Sequence, residues 1–118
     1  LFAYLSYDYR YIPDFLTAVT GWPIDLDECH RIGERIANIR HAFNLREGLN
    51  PIRFEVPSRL IGDPPQTEGN LRGITVDIDT QVREYCAAMD WDPDTAVPSR
   101  DRLLALGLEP VARDLHGA

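Results

Sequence analysis

The stretch that most constrains this 118-residue chain runs from Asp25 to Gly48. Asp25 is a good helix cap, and Glu28, three residues on, can reach back to the cap's own N–H. Ile24 before the cap and Cys29 beyond it are placed for a hydrophobic staple. Cys29, Ile32, Ile36, Ile39 and Phe43 then recur at alternating steps of three and four, an apolar seam of helical period. Gly33, Ala37 and Ala42 are small enough to let a neighbouring helix come close. Arg46 falls in the last turn, where a cation complements exposed carbonyls, and Gly48 supplies the stop. At 1.5 Å per residue such a helix is roughly 30 Å long. It is the spine of whatever fold this is.

The flanking segments agree with a helical chain. Pro13 opens a shorter helix to Thr20, in which Ile12, Phe15, Leu16 and Val19 share one face and Gly21 ends the run. A further helix follows Asp77, with Ile78, Val82, Tyr85 and Met89 on one side. Ser99 caps a short helix ending at Gly107, and a last helical turn begins at Pro110, carrying Val111 and Leu115 inward. No strand pattern of useful length is present. The expectation is a single all-α domain over 1–118 with one long irregular connection, about 49–76. That connection is broken by Pro51, Pro57, Pro64 and Pro65 and by Gly62, Gly69 and Gly73. It still carries Phe54, Val56, Leu60 and Ile61, which suits attachment to something outside it.

Charge and cysteine content narrow the function classes. All 12 basic residues are arginine, against 19 carboxylates, for a net charge of −7. With no basic stripe, the chain is a poor nucleic-acid binder. It has no apolar run long enough to span a membrane. Two isolated cysteines make no disulfide framework and fit a reducing, cytoplasmic setting. The first eleven residues hold four of the five tyrosines: Tyr4, Tyr7, Tyr9 and Tyr11. They suit either a surface covered by another part of the protein or a helix packed on its own core.

Few residues invite chemistry. Cys29 and Cys86 lack a C-x-x-C partner, and His30 beside Cys29 points about 100° away on a helix. The two cysteines are expected to be buried and inert. His41 and His116 have no companions at ligand spacing and are expected at the surface or in a supporting role. Asp90, Asp92 and Asp94 lack the glycine and glutamate of a calcium loop and read as a solvated turn. Ser58 and Ser99 have no nearby histidine for a nucleophilic triad. Asn44, Arg46 and Glu47, where the spine gives way to the long connection, leave two readings. They form an ordinary helix end with a local Arg–Glu pair, or a fixed polar group facing another domain.

With these residues laid out, the chain resembles the aldehyde ferredoxin oxidoreductase family. The resemblance is carried by GERIANIRHAFNLREG from Gly33 to Gly48, TGWPIDLDE from Thr20 to Glu28, VPSR from Val56 to Arg59, and EYCAAMDWDPDTAVPSRDRLLALGL toward the end. Three departures stand out: Asp90 replaces a glycine before Trp91, Ala96 replaces a glycine in the same turn, and the Arg46–Arg59 spacing differs. The resemblance implies the C-terminal helical domain of an enzyme that oxidises aldehydes to carboxylic acids at a tungsten or molybdenum bis-pterin centre. Electrons would pass through a [4Fe–4S] cluster to ferredoxin or another carrier.

It also implies that the cluster cysteines lie upstream, the last of them just before Leu1, so this chain starts after it and is inactive alone. No catalytic, cofactor-binding or metal-binding residue is assigned to it. Its partners would be the N-terminal and middle domains of the same chain, with Asn44, Arg46, Glu47 and Arg59 as the candidate interdomain contact. The tyrosines of residues 1–11 would lie near the cluster edge. Two alternatives stay open: a non-catalytic helical interaction domain on the same scaffold, and a family branch reducing an aromatic thioester.

Overall fold

The computed structural model describes residues 9–117. It is all-α: helices α1 (Ile12–Thr20), α2 (Leu26–Arg46), α3 (Ser58–Ile61), α4 (Ile78–Met89), α5 (Arg100–Ala105) and α6 (Glu109–His116), with 3₁₀ turns at Tyr9–Tyr11 and Pro51–Arg53. Among the described residues, β-type pairing is confined to two isolated bridges, Gln66 with Arg72 and Trp91 with Pro98. The chain divides into two compact units, one running to Ala37 and one beginning at Asn38.

Helix boundaries follow their local chemistry. Asp25 Oδ1 accepts the Glu28 N–H at 2.8 Å at the start of α2. Asp77 accepts both the N–H and the hydroxyl of Thr80 at the start of α4. Ser99 Oγ accepts the Arg102 N–H at 3.0 Å and starts α5. Each cap satisfies a donor that the helix itself leaves unpaired. Gly21 ends α1 in the left-handed conformation.

The first unit contains α1 and the beginning of α2. Its turn is held by two threonines. Thr17 Oγ1 donates to the Ile24 carbonyl and accepts the Ile24 N–H, both at 3.1 Å. Thr20 Oγ1 accepts the Trp22 N–H. In the second unit the apolar core lies in the last two helices, where Leu103, Leu106, Leu108 and Ala112 are buried and Val111 and Leu115 pack on them. Cys86 is the buried residue of α4; Ile78, Val82 and Met89 are half-buried and Tyr85 is exposed.

The apolar seam of the spine leaves Ile36, Ile39 and Phe43 exposed. The buried residues of α2 are instead Asn38, His41 and Ala42. Asn38 and His41 lie three apart and so share a face, and that face is buried because its polar atoms find partners. Of the two places expected for His41, the surface is ruled out, since only 7% of it is exposed, and the supporting role remains.

The long connection is irregular but locally organised. Asn50 Oδ1 accepts the Ile52 N–H and caps the Pro51–Arg53 turn. From Ser58 onward the chain folds back on itself, and the Val76 N–H donates to the Ile61 carbonyl at 2.8 Å. Gly62 lies at φ +75° against residue 74, where a Cβ would collide with the Ile74 carbonyl oxygen.

Candidate functional site

In the second unit a cluster of side chains is built around Trp91. Its indole stacks on the His41 imidazole, with centroids 3.9 Å apart and planes 7° from parallel. Tyr85 meets it edge-on at 5.5 Å. The Trp91 Nε1–H donates to Asn38 Oδ1 at 2.9 Å, so the fully buried Asn38 holds the ring in register. His41 Nε2 lies 2.7 Å from the Ala96 carbonyl. A carbonyl only accepts, so that nitrogen carries the proton.

Trp91 begins a turn held from several sides. Asp92 Oδ1 accepts from the Asp94 N–H, the Thr95 N–H and the Thr95 hydroxyl. The hydrogen bonds from Thr95 hold the Asp92 carboxyl below its ordinary pKa. The Ser99 hydroxyl donates to Asp90 Oδ2. Asn50 Nδ2 donates to the Thr95 carbonyl at 2.8 Å, and His116 Nε2 donates to that of Pro98 at 2.8 Å. Asp90 and Ala96, the two positions where the sequence departs from glycine, have φ of 55° and 53°. The backbone keeps the left-handed geometry glycine would favour, and side-chain hydrogen bonds hold it there.

Beside this turn is a cleft of about 500 Å³ bordered by Tyr85, Trp91, Val82, Ile52, His41 and Cys86 among others. It is mainly apolar, with few groups able to orient a polar substrate. Burial raises the Cys86 thiol above its ordinary pKa, with Asp92 adding to the shift, which keeps it a neutral thiol.

The residues singled out in sequence are placed as follows. Arg46 Nε donates to Glu47 Oε1 at 3.1 Å, and the guanidinium lies 5.1 Å above the Phe43 ring. Asn44 is half-buried on the same last turn of α2, and Arg59 is exposed on α3. Cys29 is half-buried in the first unit and Cys86 buried in the second. Among the described residues no group of three or more His, Cys, Asp and Glu side chains could hold a metal ion. With two cysteines in all, this chain cannot by itself supply the four thiolates of a [4Fe–4S] cluster. The Asn38–His41–Trp91–Ala96 set went unread in the sequence. Its one local trace is the pair of polar residues three apart on the face opposite the apolar seam.

Together these features describe an all-helical module whose polar groups serve its own architecture. The family model for aldehyde ferredoxin oxidoreductase, domains 2 and 3, matches residues 2–108. The chain belongs to that family. It is 36% identical over 103 residues to the tungsten-containing aldehyde ferredoxin oxidoreductase of Pyrococcus abyssi, 34% over 101 residues to that of Pyrococcus furiosus, and 33% over 96 residues to that of Pyrococcus horikoshii. These alignments cover 86%, 86% and 81% of this chain but 16% of each relative. No solved structure matches the chain.

Proposed function

We propose that this sequence is the C-terminal helical domain of an oxidoreductase that converts aldehydes to carboxylic acids at a tungsten or molybdenum bis-pterin centre. A [4Fe–4S] cluster then passes the electrons to ferredoxin or a similar carrier. The observation that carries the proposal is the family match over residues 2–108. Family membership supports the reaction class.

The role of this chain is enclosure. A module with a rigid polar interior and exposed apolar side chains is suited to cover a reaction centre built by other domains. Excluding water there strengthens electrostatic control over the substrate and suppresses side reactions. Asn44, Arg46, Glu47 and Arg59 form the interdomain polar contact in this reading. Phe43 and Glu47 restrain Arg46, which can still present its guanidinium to a carboxylate. Of the tyrosines assigned to the cluster edge, Tyr9 and Tyr11 are exposed, while Tyr4 and Tyr7 lie outside the described residues.

Elemental analysis of the full-length protein, purified without oxygen, tests the reading. The expected result is one tungsten or molybdenum and about four irons per chain, with aldehyde-dependent reduction of ferredoxin. A folded protein free of all three metals would overturn it.

A further inference from the structure

The segment from Phe54 to Val76 combines two properties that rarely occur together. It is internally closed: the Asp63 N–H donates to the Ser58 carbonyl, Gly73 N–H to Gln66, and Val76 N–H to Ile61, at 2.8–2.9 Å. It also presents large apolar side chains to solvent, with Leu60 73% exposed, Phe54 62%, Leu71 57% and Ile74 53%. An ordered loop gains nothing from such exposure. Single exposed apolar residues are ordinary, but several on one pre-shaped segment mark an interaction surface.

Charge singles out the same segment. From Phe54 to Val76, Arg59 and Arg72 stand against Glu55, Asp63 and Glu68, a net charge of −1. The rest of the chain therefore carries −6 of the net −7. A nearly neutral apolar arm on an acidic body is the part that can be desolvated at least electrostatic cost. Its shape is set beforehand, because the close approach of Gly62 to residue 74 fixes the closure. Docking would then order little additional chain.

We propose that this arm is the main docking surface of the module, and that its occupant is another domain of the same longer polypeptide. The proposal rests on the family reading. The chain spans 16% of the length of the relatives it matches, which leaves ample polypeptide to cover the arm.

Carbene footprinting of the full-length protein, native against urea-unfolded, reads the surface directly. Leu60, Leu71 and Phe54 are expected to be protected several-fold in the native protein, approaching the protection of fully buried Leu103, at every protein concentration. Native labelling of the three at the level of free side chains would overturn the proposal. So would protection that disappears on dilution, which would assign the arm to a second copy. Metals assayed in the same preparation separate this proposal from the family reading. Loaded metals with a fully labelled arm would overturn the docking surface alone. Absent metals with a concentration-independent, protected arm would support docking while overturning the cofactor reading.

Discussion

The turn from Asp90 to Ser99 and the arm from Phe54 to Val76 are both excursions between helices, and they solve opposite problems. The turn is held by side chains from afar: His41 and Asn50 donate to its consecutive carbonyls, and Asn38 takes its indole N–H. Its two left-handed residues are Asp and Ala. The arm is held by its own main chain, and its left-handed positions at 62, 69 and 73 are glycine. The turn buries Ala96, whereas the arm exposes Leu60 and Leu71. One excursion is closed by side chains of this chain, and the other carries apolar side chains that the described residues leave largely exposed. Local order and completed burial are therefore separate achievements.

The contrast can be broken most sharply at Trp91. Trp91→Ala removes the stacked ring and leaves Asn38 Oδ1 buried without its donor. It should cost about 3–5 kcal/mol, as large-to-small substitutions of aromatic residues do, read as a lowered urea midpoint. A loss under about 1 kcal/mol would mean that the turn does not depend on the node. Gly62→Ala acts on the other region. It should cost about 1–3 kcal/mol of local strain, seen as faster amide exchange at Val76 with the Ala96 amide unchanged. Equal acceleration at both amides would show that the two regions open as one.

Smaller effects sharpen the comparison. Ala96→Gly removes a left-handed Cβ but loosens the unfolded chain, so a net gain of up to about 1 kcal/mol is expected. Asp90→Gly should gain less or lose, because it also deletes the acceptor of the Ser99 hydroxyl. The smallest effect concerns acid. The hydrogen bonds from Thr95 depress the Asp92 carboxyl pKa in the folded state. Its contribution is thus fully present above the ordinary carboxylate pKa and fades as pH falls through the lowered value. The Thr95 amide should exchange faster in that window, while Gly73 and Val76, bound to main-chain carbonyls, keep their protection.

Much of the fold was legible because its punctuation is local. Asp25, Asp77 and Ser99 each cap a helix whose start lies within the next residue, and Gly21 and Gly48 stand just past helix ends with positive φ. The interior was harder to read. Periodicity shows which residues of α2 are apolar but not which of them have a neighbour, and Ile36, Ile39 and Phe43 stay exposed. Asn38 and His41 are buried through partners more than fifty residues away, Trp91 and Ala96, a pairing that no spacing rule encodes. The Arg46–Glu47 pair was readable as neighbours on a helix end. The partner that would face it under the proposed function has no counterpart in this sequence.

The two tryptophans occupy opposite surroundings, one in each unit. Trp22 is largely exposed, while Trp91 is half-buried between an imidazole and a phenol ring. The first should emit as a wet indole, at long wavelength and open to iodide quenching. The second should emit at shorter wavelength, dimmed by the stacked histidine and sheltered from the quencher. These 118 residues thus carry two native optical reporters, one for each unit.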